Sequence, residues 1–160
     1  MMRRLLVLIS MIMIIGGFTI SQISSVASET SIQPILDANV DSDLRLIDID
    51  EDDDLVDISH ICEYWKKGKN SVTIDRWIFN NSKEIDAFIK GNLGISFRCN
   101  FDEWDKITDV GDKTHWMEPG MVVFAKGKTL VKIWVRLGNV SPDSKKDYTR
   151  KIAKSIAKKL

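Results

Sequence analysis

The chain has few of the residues that usually carry catalysis or bind metal ions. Its 160 residues include only two cysteines and two histidines. The sequence contains no Gly-x-Ser-x-Gly, no His-Glu-x-x-His, no P-loop and no dinucleotide-binding glycine pattern, which excludes the enzyme families that those motifs define. Basic and acidic residues are equal in number, 23 each, so the positive excess of a general nucleic-acid binder is absent. We therefore expect no cofactor, no catalytic residues and no nucleic-acid partner.

The N-terminus has the three-part pattern of a secretory signal peptide. Two arginines precede an apolar stretch over residues 5–20, and Ser25 and Ala27 are small residues at the two positions that a signal peptidase reads. The alternative is an uncleaved membrane anchor. The stretch is shorter than the roughly 20 apolar residues that a spanning helix needs, and it contains two adjacent glycines. We predict that residues 1–27 are a signal peptide and that the protein is secreted or extracytoplasmic, with membrane contact only through this segment if it is not cleaved.

The two cysteines, Cys62 and Cys99, predict one disulfide bond, because an even number of cysteines in an exported chain is usually paired. A zinc site formed by these cysteines with His60 and His115 is the alternative. The spacing disfavours zinc, since the sequence has no Cys-x-x-Cys pair.

Residues 28–42 are polar, contain Pro34 and have no hydrophobic periodicity, which predicts a flexible leader. The remaining residues, 43–160, are expected to form a single domain of ordinary size.

Two segments of this domain follow the same plan, a β-hairpin and then a helix. In the first segment, the turn KKGKN (66–70) is followed by an apolar strand and by a helix with Asn81 as its expected N-cap. In the second, two strands flank Gly127, and a helix starts at residues 141–144. Because each apolar helix stripe must be buried on a sheet, we predict an α+β fold, with a mainly antiparallel sheet built from hairpins and two amphipathic helices packed on it.

The two hairpins also resemble each other in sequence. KKGKNSVTI aligns with AKGKTLVKI at a constant offset, which places Ile74 opposite Ile133 in the alignment. A duplication and the common sequence preferences of hairpins both explain this similarity.

The second half of the chain resembles a group of exported domains. The string VGDKTHWMEPGMVVFAKGKTLVKIWV, followed by DYTRKIAKSIAKKL, resembles small uncharacterised exported or cell-surface α+β domains of prokaryotes. The resemblance covers about residues 70–160. It implies an extracytoplasmic location and an α+β architecture, and it implies no activity.

Two tryptophans and an acidic segment are the candidate binding residues. Trp104 and Trp116 lie in irregular sequence, where loops on a rigid scaffold often carry binding, whereas the other tryptophans lie in predicted strands. The segment IDIDEDDDLVDIS (47–59) does not fit an EF-hand, which needs a glycine at its sixth position and a glutamate at its twelfth. It predicts two strands around a solvated acidic turn and no metal site. The weak alternative is a cation site formed by Asp48, Asp50 and Asp52, which alternation places on one side of the first strand.

The sequence therefore favours an exported, non-catalytic binding or interaction domain with an extracellular or envelope partner. The alternatives are a secreted hydrolase that uses carboxylates of the 101–118 segment and a structural component of the envelope.

Overall fold

The computed structural model describes residues 33–52, 57–93, 105 and 109–160. It contains a six-stranded antiparallel sheet with the strand order β1-β2-β3-β6-β5-β4. The strands are β1 Arg45–Asp52, β2 Ile58–Lys67, β3 Asn70–Phe79, β4 Lys113–Glu118, β5 Met121–Lys126 and β6 Thr129–Arg136. Two α-helices follow the two groups of three strands, α1 at Glu84–Phe88 and α2 at Pro142–Lys159. The predicted α+β class and antiparallel sheet are confirmed.

Alternation along the strands gives the sheet two different faces. The face that we call the α2 face carries apolar residues of the central strands, among them Ile74, Phe124 and Ile133, and packs against Ile152 and Ile156 of α2. Burial of these large side chains on both layers forms the main core. Ser141 caps α2, since its Oγ accepts a hydrogen bond from the backbone N–H of Ser144 at 3.1 Å.

The opposite face, the α1 face, carries a smaller apolar cluster. Trp77 and Leu130 of the central strands pack there against Ile85 and Phe88 of α1. This α-helix is only five residues long, because after Phe88 the chain continues as a π-helical turn, Ile89–Leu93. Asn81 is not the N-cap. Its Oδ1 accepts a hydrogen bond from the backbone N–H of Lys83, and the helix begins three residues after Asn81, at Glu84.

The N-terminal strap, residues 33–44, is part of the packed domain. Ile35 and Leu36 are only 5% and 2% exposed, and Leu44 is buried in the same core cluster. The buried Glu63 carboxylate accepts hydrogen bonds from the backbone N–H of Ile35 at 2.7 Å and from Trp65 Nε1 at 3.0 Å. The expectation of a flexible leader up to residue 42 is therefore corrected for its described part. A buried carboxylate on β2 fixes this backbone, although the sequence there has no periodicity.

The register of the central strands relates the two halves of the sheet. Ile74 and Ile133, which the two similar hairpins place at equivalent positions, are direct partners in the β3–β6 pair. Val72 pairs with Val135 and Arg76 with Val131, so the pairing is symmetric about this point. The four central strands are thus related by an approximate twofold axis perpendicular to the sheet. The helices break the symmetry, because α1 and α2 pack on opposite faces.

Among the described residues, no helix combines the length and the apolar character needed to cross a membrane.

Candidate functional site

The β2–β3 hairpin brings polar side chains together on the α1 face. Gly68 has a φ of 58° in the two-residue turn between Lys67 and Asn70, a conformation that glycine adopts without steric cost. This turn fixes the register, so that Cys62 is the cross-strand partner of Asp75.

Asp75 is the centre of this group, which we call the Asp75 cluster: His60, Cys62, Asp75 and Lys132. One carboxylate oxygen lies 3.3 Å from His60 Nε2, and the other pairs with Lys132 Nζ on β6. The side chains of Asp75 and Lys132 are each only 11% exposed. Burial alone would raise the pKa of Asp75, but the hydrogen bond with His60 and the charge of Lys132 outweigh it and hold the pKa below its ordinary value. Asp75 is therefore ionised at neutral pH.

Cys62 is half-buried beside this carboxylate, and within the described residues its sulfur forms no disulfide bond. Burial, together with the negative charge of Asp75 and a hydrogen bond to it, raises the pKa of Cys62 to about 12. Because the thiolate is the nucleophile and the metal ligand, the protonated Cys62 is suited to neither role at neutral pH. His60 is held in place by its stacking on Trp77, with ring centroids 4.8 Å apart and planes 4° from parallel. The polar groups of the Asp75 cluster thus serve as hydrogen-bond and charge partners for one another.

A separate cleft of about 340 Å³ lies between the start of α1 and the start of β4. Two carboxylates, Asp86 and Asp112, and two ammonium groups, Lys83 and Lys113, line it together with apolar surface from Ala125. Lys113 Nζ lies 2.8 Å from Asp86 Oδ2, and this pair links β4 to α1. Both side chains are almost half exposed, 43% for Lys113 and 48% for Asp86, so water and a solute reach them. We call this feature the α1–β4 cleft.

The cleft depends on a tight approach of two segments. Gly111 has a φ of 67°, and a Cβ at this position would lie 2.5 Å from the carbonyl oxygen of Ala125. Asp112, the next residue, donates its backbone N–H to the same carbonyl at 2.7 Å and accepts the backbone N–H of Gly127 on Oδ2 at 2.8 Å. These contacts hold the Asp112 side chain at the turn between β5 and β6.

The structure places the predicted binding tryptophans as follows. Trp116 lies in the edge strand β4 and packs on the main core, and Lys146 and Arg150 of α2 each approach its ring with a centroid distance of 5.4 Å. Its ring is therefore half-buried under cations of the same chain. Trp104 lies outside the described residues.

The predicted disulfide and its zinc alternative are only partly within the described residues. Cys99 lies outside them, so the Cys62–Cys99 bond stays a prediction. His60 and His115 project from β2 and β4, which are separated by β3, β6 and β5. Within the described residues, no group of three or more histidine, cysteine or acidic side chains is arranged to hold a metal ion.

Asp48, Asp50 and Asp52 lie in β1 at alternate positions, opposite Tyr64, Cys62 and His60 of β2. Asp48 and Asp50 are exposed, and the turn residues 53–56 lie outside the described residues. Because β1 is an edge strand, its carboxylates also prevent pairing with another sheet edge.

The described carboxylates of the 101–118 segment have separate structural partners. Asp105 accepts the backbone N–H of Trp116 at 3.0 Å, and Asp109 lies 3.1 Å from both Arg150 Nε and Lys154 Nζ. Asp112 holds the β5–β6 turn, as described above. Asp102 and Glu103 lie outside the described residues.

Comparison of this chain with protein-family models, with curated proteins and with solved structures finds no match. The candidate site is therefore defined by its geometry.

Sequence reasoning did not identify either the Asp75 cluster or the α1–β4 cleft. Part of the cluster could have been predicted from the sequence, because a two-residue turn at Gly68 places Cys62 opposite Asp75. The position of Lys132 beside Asp75 could not have been predicted, because it requires the pairing of β3 with β6, strands that are far apart in the sequence.

Proposed function

We propose that this chain is an exported, non-catalytic binding domain and that the α1–β4 cleft is its ligand site. The observation that carries the proposal is the pairing of charges in the cleft, with Asp86 and Asp112 near Lys83 and Lys113 around a volume of about 340 Å³. This volume is at the small end of the range typical of ligand pockets. A ligand that carries both charges, such as a free amino acid or the end of a short peptide, matches such a lining.

The absence of catalysis in this proposal is supported by the state of the reactive groups. As a thiol, Cys62 is protonated at neutral pH because its pKa is raised to about 12, and in the predicted disulfide it has no thiol to react. The Asp75 carboxylate is already engaged by His60 and Lys132. A hydrolase needs a general acid and a base that converge on one substrate. Asp105, Asp109 and Asp112 instead contact different parts of the fold.

Export and the finer architecture belong to the same proposal. The signal-like pattern of residues 1–27 supports an extracytoplasmic location, with an extracellular or envelope partner as the source of the ligand. We expect the sheet to be organised as hairpins with two amphipathic helices on it, which the buried Ile85 of α1 and Ile156 of α2 support.

Hydrogen exchange of the full chain, followed by mass spectrometry, tests the ligand site. Millimolar glycylglycine is the zwitterionic probe, and acetate and methylammonium at the same concentration carry its two charges separately. We expect glycylglycine to slow exchange in peptides that cover residues 80–90 and 109–127 and expect the two single-charge probes to have a smaller effect.

Two variants provide the comparison for this experiment. Asp86→Asn removes one carboxylate of the cleft and should abolish the protection by glycylglycine, while Asp147→Asn, an exposed position on α2, should leave it unchanged. Protection elsewhere in the chain, or none, would contradict the assignment of the cleft. Peptide hydrolysis that is lost on replacement of Asp102 or Glu103 would favour the hydrolase instead.

A further inference from the structure

The second half of α2 is strongly cationic. After Asp147 the helix contains no acidic residue, whereas Arg150, Lys151, Lys154, Lys158 and Lys159 all follow. Lys151, Lys154, Lys158 and Lys159 are exposed. The first three of these are spaced three and four residues apart, which places them on one ridge of the helix.

Among the residues that the structure describes, two carboxylates pair with this part of the helix. Asp109 lies 3.1 Å from both Arg150 Nε and Lys154 Nζ, and Asp147 lies 3.8 Å from Arg150 Nη1. Lys151 Nζ donates to the neutral carbonyl of Val40 at 2.7 Å, a contact that does not neutralise its charge. A further cation is added at the C-terminal end of the helix, where Lys126 of β5 donates to the carbonyl of Ala157. We call Lys126, Arg150, Lys151, Lys154, Lys158 and Lys159 the basic ridge.

Exposed acidic residues also lie at the β1 edge of the sheet, where Asp48, Asp50 and Glu51 are exposed. Helix α2 packs on residues of β5 and β6 and on the 3-10 turn Ala38–Val40. The whole chain has a formal charge of +0. An extended anionic surface would attract the ridge and repel the carboxylates of β1, which favours one orientation.

The shape and the position of the ridge favour a surface over a bound polymer. The ridge is the convex, solvent-facing side of a helix whose apolar side is buried on the sheet, so it offers charged side chains to a partner. Clusters of lysine and arginine on one side of a helix are typical of segments that bind anionic lipid headgroups. As an uncleaved anchor, the alternative to a signal peptide, the apolar stretch at residues 5–20 would also hold the chain at a membrane.

We propose that the basic ridge docks this domain onto a bilayer of anionic phospholipid. The ridge lies on the opposite sheet face from α1, so the α1–β4 cleft faces away from the bilayer when the ridge is bound. The docking does not depend on a ligand in the cleft, and each of the two proposals can fail without the other.

Lysine acetylation of the full chain in vesicles tests the docking. The chain is reconstituted in vesicles of phosphatidylcholine alone and in vesicles that also contain phosphatidylglycerol, and mass spectrometry gives the acetylation rate of each lysine. The N-terminal apolar segment meets both bilayers alike, so a difference between the vesicles reports on the domain. Lys69 at the β2–β3 turn and Lys90 beside α1 are exposed references away from the ridge.

We expect phosphatidylglycerol to slow acetylation of Lys151 and Lys154 by at least about threefold relative to Lys69 and Lys90, because several ridge lysines contact the anionic surface together. High salt should remove the difference, since it screens charges at the surface. The variant Lys158→Glu/Lys159→Glu should lose the protection at Lys151. The control Lys66→Glu/Lys69→Glu, in which Lys90 alone is the reference, should keep it. Equal rates in both vesicles would overturn the proposal, and so would protection by soluble polyphosphate without protection by the vesicles.

Discussion

Asp75 and Lys132 form an ion pair across the two central strands of the sheet, with both side chains about nine-tenths buried. Charges at such a position cost desolvation energy, and the pair tolerates this only because each charge compensates the other. His60 and Cys62 complete the surroundings of the carboxylate. We therefore expect the cluster to influence the stability of the domain and, where Cys62 is a thiol, its reactivity.

Removal of only one charge of this pair should be strongly destabilising. We expect Asp75→Asn to lower the free energy of unfolding by about 3–5 kcal/mol, since the buried Lys132 ammonium would lose the carboxylate charge that it contacts across the strands. The double variant Asp75→Asn/Lys132→Met should recover most of that loss. Urea denaturation measures all three free energies, and an unchanged stability of the single variant would contradict this account of the pair.

Acid stability should depend on the same carboxylate. The pKa of Asp75 is lowered in the folded state, so its contribution is complete above the unfolded-state pKa of about 4 and is lost as the pH falls through the folded-state value. The double variant should therefore show a flatter decline of unfolding free energy below about pH 4 than the wild type. The pKa of Asp41 is also lowered, because hydrogen bonds from Tyr148 and Lys67 outweigh the opposing effect of burial. Asp41 therefore contributes to the acid dependence of stability in both proteins.

Asp75 should also suppress the reactivity of Cys62. In a Cys99→Ser background, Asp75→Asn removes a negative charge and a hydrogen bond that raise the thiol pKa. The thiolate fraction of Cys62 should therefore rise, and alkylation by iodoacetamide should be faster when it is measured under conditions where the variant is folded. Asp48→Asn, an exposed position in β1, is the matched control and should leave the rate unchanged. If Asp75→Asn and Asp48→Asn were alkylated at the same rate, Asp75 would have no effect on the pKa of Cys62.

Glu63 should be essential for the attachment of the N-terminal strap. Its carboxylate is 1% exposed and accepts from the backbone of Ile35 and from Trp65 Nε1. In Glu63→Gln an amide N–H replaces one acceptor oxygen, and we expect a loss of about 1–3 kcal/mol in unfolding free energy together with faster hydrogen exchange of the strap. Glu51→Gln, at an exposed position of β1, should change neither quantity. Unaltered exchange of residues 33–44 would contradict this role.

Two glycines with nearly the same backbone conformation should differ in their tolerance of alanine. Gly111 and Gly127 have φ values of 67° and 57°, so an alanine costs about 1 kcal/mol of backbone strain at either one. At Gly111 the new Cβ would also lie 2.5 Å from the carbonyl oxygen of Ala125, whereas nothing lies within 4 Å at Gly127. Gly111→Ala should therefore lower the melting temperature more than Gly127→Ala. Equal falls in melting temperature for the two variants would show that the backbone near Gly111 and Ala125 accommodates the new Cβ at no cost in stability.

Calcium should have little effect on the carboxylates of β1. Asp48 and Asp50 are exposed at alternate positions and lie beside an edge that water reaches. Millimolar calcium should raise the melting temperature by less than about 2 °C, as expected for a weak site close to its dissociation constant. A larger shift that disappears in Asp48→Asn/Asp50→Asn/Asp52→Asn would instead establish a metal site.

The sequence by itself determined the features that depend on neighbouring residues. Gly68 and Gly127 mark the two tight turns, because a positive φ is a property of one residue and its immediate neighbours. Ser141 marks the start of α2 for the same reason, since its hydroxyl caps an N–H only three residues away. These local rules, together with the alternation of apolar residues, were sufficient to predict an antiparallel α+β domain.

The tertiary structure decided the features that join distant residues. Tyr148 donates to Asp41 at 2.9 Å across 107 positions, and Glu63 binds the strap at Ile35 across 28 positions. No local preference encodes such a pair, and residues 33–42 therefore resemble a leader until the carboxylate that holds them is in place. The opposite packing of α1 and α2, which separates the cleft from the basic ridge, was likewise decided by which apolar surface each helix buries in the folded sheet.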